Sequence, residues 1–345
     1  MQKIKVTHSS GEYYIYVGED ILEEALCGFF AGKSYDRVFA VSDSSVYPLW
    51  GEKLRAALSA AGVELAGESV FPAGERSKNL TTVAGMYNDF ARAKLTRKSL
   101  VIALGGGVTG DIGGFAAATY LRGVDVLQIP TTLLSQIDSS IGGKTGVDLE
   151  VGKNLVGAFH QPVAVISDSR FLDTLPKRFI DDGMGEAIKT GCIAYEALFE
   201  GIASKTISRA EMITRCAAFK ADVVTKDEFE RGLRKILNYG HTIGHAVEKL
   251  GNFERFSHGE SVGIGMLYAA RLGEKLGYPA FYDKIKAALE AYELPTVMDY
   301  PTDELIKVAS SDKKRTGDSV SFVLLDKIGH AVVREIALDE LGRLL

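Results

Sequence analysis

Two runs in which apolar and polar positions alternate, 2–8 and 12–18, flank Ser9-Ser10-Gly11 at the start of the chain. Alternation of period two on either side of a polar, glycine-containing link predicts a β-hairpin. Short apolar runs then follow at 37–42, 100–104, 124–129 and 163–166, separated by amphipathic stretches of helical length at 46–61, 78–93 and 108–121. Strands buried on both faces and joined by helices predict a parallel sheet covered by helices, an α/β fold. After Asp168 the texture changes. Helical periodicity recurs over 184–200, 208–226, 233–250, 258–276 and 281–291, and no further β-branched run appears before Val320 to Leu325. The pattern predicts an α/β domain over 1–168 and a mostly helical domain over 169–345, with a tight junction near 160–172 and a cleft between the halves as the ligand site.

Composition narrows the classes of function. The 345 residues suffice for about two domains of ordinary size, and 46% hydrophobic with 25% charged residues is an ordinary globular balance. With 40 basic against 45 acidic residues, a formal −5, there is no basic excess to neutralise nucleic acid or an anionic membrane. Cys27, Cys192 and Cys216 are widely spaced without a CxxC pair, which suits a reducing compartment. The start MQKIKVTHSSGEYYI has no apolar leader, and the most apolar long stretch, 100–121, is interrupted by glycines and Asp111. A cytoplasmic protein is expected.

Three segments carry chemistry. The strand 99–104 runs into Gly105-Gly106-Gly107-Val108-Thr109-Gly110-Asp111, a GxGxxG match in a strand-turn-helix setting, where glycines let amides approach a pyrophosphate at a helix N-terminus. A standard dinucleotide fold would open on this loop and place its ribose-binding acid about 20 residues further on, at Asp125. Here the loop lies deep in the chain, and Asp43, at the end of an earlier strand, is better placed. A non-standard strand order is therefore expected. Second, three of six histidines fall between 241 and 258. His241 and His245, spaced i, i+4, share a helix face. They are either two half-exposed histidines or, joined by Glu186 of Glu186-Ala-Ile-Lys189, a His₂Glu site for a catalytic zinc. HxxxH lacks the glutamate of HExxH, which argues against peptide hydrolysis. Third, glycines at 142, 143, 146, 152 and 157 interleave with Lys144, Lys153 and Asn154, the composition of an anion-wrapping loop. It is not a phosphate-binding P-loop, whose frame needs glycine where Asp138 stands.

Together GGGVTGD, TYLRG, IPTTLLSQIDSSIGGKTGVD, GKNLVGAFHQP, FLDTLP, GEAIK, RKILNYGHTIGHA and HGESVGIGM closely resemble the 3-dehydroquinate synthase family, over essentially the whole chain. The resemblance implies an α/β NAD-binding domain, an all-α metal-binding domain and a homodimer. It implies zinc, or cobalt in its place, on Glu186, His241 and His258, and makes His245 a substrate contact. NAD would meet Asp43, Glu75 and Lys78, then Gly106, Gly107 and Asp111, and further Thr131, Thr132, Lys144, Lys153, Phe171 and Thr174. Substrate would meet Asp138, Lys144, Asn154, Lys189 and Lys220, together with Arg234, Asn238, His245 and one of Lys313 and Lys314. Arg122 would reach the neighbouring subunit's site.

The implied substrate is 3-deoxy-D-arabino-heptulosonate 7-phosphate, oxidised, stripped of phosphate, re-reduced, ring-opened and closed by an aldol step to 3-dehydroquinate in the shikimate pathway. The alternatives are another NAD- and zinc-dependent sugar phosphate cyclase, such as an inosose or valiolone synthase, and an iron-type alcohol or glycerol dehydrogenase. Lys144, Lys153, Lys189, Lys220 and Arg234 speak for a polyanionic substrate, because unpaired buried cations are costly and a simple alcohol has nothing for them to bind.

Overall fold

The opening hairpin forms as the alternation predicts: β1 (Gln2–His8) pairs antiparallel with β2 (Gly11–Gly18). The computed structural model describes residues 1–310, 315–316 and 319–344. The chain forms two compact units, Met1–Leu175 together with Lys220–Phe229, and Pro176–Phe219 together with Glu230–Leu345.

In the first unit the hairpin continues into a parallel sheet. Its strands are β3 (Val38–Asp43), β4 (Leu65–Phe71), β5 (Leu100–Gly105) and β6 (Asp125–Pro130). A separate two-stranded pair, β7 (Lys144–Leu149) and β8 (Gly152–Phe159), precedes β9 (Ala164–Asp168). The seven-stranded order is β1-β2-β9-β6-β5-β3-β4, so the glycine-loop strand β5 lies between β6 and β3. Every residue of β3 and β5 is buried, as the continuous apolar runs require. Their side chains divide by parity. Val38, Ala40, Leu100, Ile102 and Leu104 pack with Leu22, Leu26, Leu54 and Leu58 of α1 (Leu22–Phe30) and α2 (Tyr47–Ala60). Phe39, Val41, Val101 and Ala103 pack with Val83, Phe90, Ile112 and Phe115 of α3 (Leu80–Arg92) and α4 (Gly107–Thr119). Each Val, Leu, Ile or Phe side chain among them, removed from water, contributes roughly 1.5–3 kcal/mol. The helix α1 and strand β4 were not expected from the pattern.

The glycine-rich segment 142–157 is not a loop. Lys144 to Leu149 and Gly152 to Phe159 form an antiparallel hairpin in which Gly146 and Gly157 face each other. A Cβ at Gly157 would lie 2.3 Å from the Thr145 carbonyl oxygen, and one at Gly146 2.6 Å from that of Val156. These glycines let two backbones meet, which corrects the reading of the segment as an anion-wrapping loop.

The second unit is helical in the main. It holds α5 (Lys177–Ala194), α6 (Glu196–Ala203) and the first part of α7 (Arg209–Lys226). After these come α8 (His241–Leu250), α9 (His258–Lys275), α10 (Tyr282–Ala291), α11 (Thr302–Ser310) and α12 (Leu338–Leu344). To the helices it adds an antiparallel sheet of Arg315–Thr316, Ser319–Lys327 and His330–Ala337. Phe322, Leu324 and Ile336 of that sheet pack with Ile243, Val247 and Leu272. The expected helix 233–250 is broken into a 3₁₀ turn, Leu233–Asn238, and α8, because Gly240 between them takes φ 79°. Among the described residues no helix is long and apolar enough to cross a membrane.

Small residues set the spacing of α5, α8 and α9. A Cβ on Gly259 would lie 1.9 Å from the Asp182 carbonyl oxygen, and one on Gly265 1.9 Å from that of Gly240. We expect Gly259→Ala to lower the melting temperature and the bound metal together, since overpacking against backbone costs about 1–3 kcal/mol or more. Gly28→Ala, on an open face of α1 with nothing within 4 Å, should leave stability unchanged or raise it by about 0.5–1 kcal/mol. Calorimetry with elemental analysis checks both; an unaffected Gly259→Ala protein would refute the spacing argument.

Candidate active site

In the second unit, Glu186 and Lys189 stand one turn apart on α5, His241 opens α8 and His258 opens α9. Ser257 caps α9 in a capping box with Glu260, which fixes where the chain turns into the helix and hence where His258 sits. Potential ligand atoms of Glu186, His241 and His258 all lie within 4.8 Å of one another. Glu186 is 1% exposed, and its Oε1 is buried without a hydrogen-bond partner. That oxygen is faced by His241 Nε2 at 3.6 Å and His258 Nε2 at 3.5 Å. Two ligands of a tetrahedral zinc stand about 3.4 Å apart. The remaining ring nitrogens are engaged elsewhere: His241 Nδ1 lies 3.2 Å from the Tyr239 carbonyl oxygen and His258 Nδ1 3.3 Å from Glu248 Oε1. An orphaned carboxylate oxygen and two imidazoles, each with its other nitrogen already held, fit a divalent metal.

Burial opposes charge on Glu186, but the Lys189 ammonium on Oε2 and the His258 ring outweigh it and hold the carboxyl down to about 2. Burial likewise opposes charge on His258, yet Glu186 and Glu248 on its two sides raise its pKa well above the ordinary value. A metal held here would take the place of that proton. His245 lies one turn along α8, its ring centroid 5.3 Å from that of His241 and 6.3 Å from that of His258. It falls outside the first triad and into a second group with Glu248 and His258. Arg234 is among the largest fully buried side chains, and Asn238 Nδ2 donates to Glu230 Oε1 at 2.8 Å. Lys313 and Lys314 lie outside the described residues.

In the first unit the strand C-termini collect Asp43, the glycine loop and Thr131 at one end of the sheet, the end at which open α/β sheets bind ligands. Gly106 caps α4, whose N-terminal amides open there, and a Cβ on Gly106 would lie 2.9 Å from Thr132 Cγ2. Asp43 Oδ2 accepts from Thr109 Oγ1 at 3.1 Å, and its Oδ1 accepts from the amides of Ser45 and Val46. Asp125 opens β6 opposite Leu100 and accepts from the Tyr35 hydroxyl. It is therefore a strand length, about 16 Å, from the glycine loop.

Lys78 Nζ lies 2.6 Å from Asp111 Oδ2 and donates to Asn154 Oδ1 at 2.6 Å, with Glu75 at 4.0 Å. Lys153 faces the same Glu75 oxygen at 3.6 Å. Burial foremost raises the pKa of Asp111. Thr131 Oγ1 is buried without a partner. Phe171 meets the edge of Trp50, whose indole N–H donates to Thr174 Oγ1. Lys220 Nζ donates to the Asp138 carbonyl and lies 2.7 Å from its carboxylate. Lys144 is exposed at the start of β7, and Arg122 is exposed at the far end of α4, about 20 Å from the glycine loop of its own chain.

The partners found for Lys153, Lys189 and Lys220 correct one inference. These cations are balanced by Glu75, Glu186 and Asp138, so their burial does not by itself demand an anionic substrate. The pattern also missed Glu248, Glu230 and Asp182, whose carboxylate accepts from the Gly259 amide at 2.6 Å. For Glu248 a signal existed: with His241 and His245 it completes a polar stripe at 241, 245 and 248 on one helix face.

The 3-dehydroquinate synthase N-terminal family model matches residues 68–182 and the C-terminal model residues 183–315. A 3-dehydroquinate synthase of Clostridium acetobutylicum is 42% identical over 99% of this chain and 98% of its own. The chain belongs to the 3-dehydroquinate synthase family. A second member, from a Nostoc species, is 43% identical over 94% of this chain and 93% of its own. Among solved structures, a 2-epi-5-epi-valiolone synthase from Streptomyces hygroscopicus with NAD+ and Zn2+ bound is 27% identical, with a TM-score of 0.86 over 96% of this chain and 95% of that one.

For this 3-dehydroquinate synthase family member, His241→Ala and Glu186→Gln should each lose the metal while His245→Ala keeps it. Equal loss in all three by elemental analysis would refute the ligand set. Asp43→Ala should weaken NAD about tenfold or more, the scale of a charged hydrogen bond, with Asp125→Ala unchanged. Fluorescence titration showing the reverse order would restore the standard dinucleotide reading.

Proposed function

We propose that the chain is the lyase that converts 3-deoxy-D-arabino-heptulosonate 7-phosphate to 3-dehydroquinate and phosphate, using NAD and a divalent metal, in the shikimate pathway. The observation that carries this reading is the Glu186, His241 and His258 triad, with Lys189 on the same carboxylate, in a chain that family members match almost from end to end. Zinc suits a carboxylate with two imidazoles and an open position, and cobalt takes the same donors.

When bound, the metal supplies Lewis acidity toward a substrate hydroxyl and NAD supplies a hydride acceptor that returns what it takes. In the second unit Glu186, His241 and His258 hold the metal, and Lys189 keeps Glu186 ionised. Arg234, Asn238 and His245 are the substrate contacts of that unit, with Asp138, Lys144, Asn154 and Lys220 those of the first. Charged donors of this kind fix a carboxylate and a phosphate so that one conformer reacts. Asp43, Gly106, Gly107 and Asp111, with Glu75, Lys78, Thr131, Thr132, Lys153, Phe171 and Thr174, form the NAD-binding set. The substrate phosphate itself lies beside the proton lost in elimination, so few dedicated protein bases are needed. Arg122, exposed and far from its own glycine loop, suits a contact to the neighbouring subunit in a homodimer. The composition suits the cytoplasm.

A second reading, another NAD- and zinc-dependent cyclase, is favoured by the fold shared with the valiolone synthase. Pure protein with the heptulosonate phosphate and catalytic NAD tests both. Phosphate should accumulate far beyond the cofactor, with 3-dehydroquinate as product and no lasting absorbance at 340 nm. Arg234→Ala should lose about 2–5 kcal/mol of transition-state binding in kcat/KM. Stoichiometric NADH without phosphate, or an unchanged Arg234→Ala enzyme, would overturn the proposal.

A further inference from the structure

We propose that Glu248 is a positioning residue for the metal centre, holding the His258 ring so that its Nε2 faces Glu186. The inference rests on Glu186, His241 and His258 being the ligands, and it adds a residue to that site. Glu248 is 8% exposed, on the stripe of α8 that carries His241 and His245. A carboxylate buried to that degree needs a partner, and the His258 imidazole is one: Nδ1 lies 3.3 Å from Glu248 Oε1 while Nε2 lies 3.5 Å from Glu186 Oε1. The ring is thus held between two carboxylates from different helices. With Nδ1–H donating to Glu248, the Nε2 lone pair is left for a metal.

The two histidine ligands are oriented by different means. His241 Nδ1 meets a backbone carbonyl, that of Tyr239, which no side-chain substitution removes. His258 meets a charged side chain, which makes the imidazole the more basic ligand.

The test is a titration of the metal-stripped full chain with Zn2+ against a competing chelator, with Co2+ absorption as a report on coordination geometry. Glu248→Gln preserves shape, and Glu248→Asp keeps the charge while withdrawing it by one methylene. We expect each to weaken Zn2+ binding by about 10–100-fold and to alter the Co2+ spectrum, with the apo melting temperature of Glu248→Gln unchanged. Wild-type affinity and spectrum in Glu248→Gln would overturn the proposal. So would weakening that simply follows the apo melting temperature across the two variants, which would make Glu248 a core residue. Loss as complete as in His258→Ala would also overturn it, by making Glu248 a ligand with His245 and His258. His241→Ala, run alongside, tests the ligand set separately: stoichiometric binding there would sink that set, whereas a wild-type Glu248→Gln would sink only the role of Glu248.

Discussion

An ionised carboxylate taken out of water costs several kcal/mol unless it is compensated on the spot, and Glu186 is compensated on three sides. Lys189 occupies Oε2, and the imidazoles of His241 and His258 face Oε1. Only Lys189 comes from the same helix. The other two come from the starts of α8 and α9, so α9 must approach α5, and α8 must approach α9, more closely than side chains allow. Gly259 against the Asp182 carbonyl and Gly265 against the Gly240 carbonyl are what that approach requires. The left-handed Gly240 then starts α8 at His241, and the Ser257 and Glu260 capping box starts α9 at His258. Electrostatics and packing therefore point to the same geometry.

The first unit solves a different problem by different means. The end of its sheet at which open α/β folds bind ligands is built mainly from backbone, because a parallel sheet brings its strand C-termini and the following helix N-termini to one edge. Side chains adjust rather than create this site. Asp43 is held by Thr109 and two amides, and Lys78 ties Asp111 of α4 to Asn154 of β8. A residue expected at the cofactor, Lys78, and one expected at the substrate, Asn154, thus share a hydrogen bond.

What could be read from the chain followed the reach of each signal. The parity of β3 and β5, and the amphipathic helices, are local patterns and were legible. The break at Gly240 was not, since apolar spacing runs on through it and only the backbone angle stops the helix. The hairpin over 144–159 was hidden because its glycines carry no side-chain pattern, although each is needed where two backbones meet. The preference for Asp43 over Asp125 was argued from chain position; the structure adds that Asp43 ends β3 whereas Asp125 begins β6, at the opposite end of the sheet. Pairing of Lys153, Lys189 and Lys220 with Glu75, Glu186 and Asp138 was invisible in composition, where cations can be counted but their partners cannot. Glu248 lay in plain view on a helix face, overlooked because the histidines beside it drew the chemistry.

The first compact unit is not one stretch of chain: Lys220 to Phe229 belongs to it, although more than forty residues of the second unit intervene. Thr225 and Glu228 accept the backbone amides of Thr7 and Ser9, and Lys220 is fastened to Asp138. Neither unit can therefore be excised as a continuous segment, and no single crossover between two genes could exchange one intact. Exchanging either unit intact would take crossovers after 175, 219 and 229 together, so inheritance of the two as one piece is the simpler course.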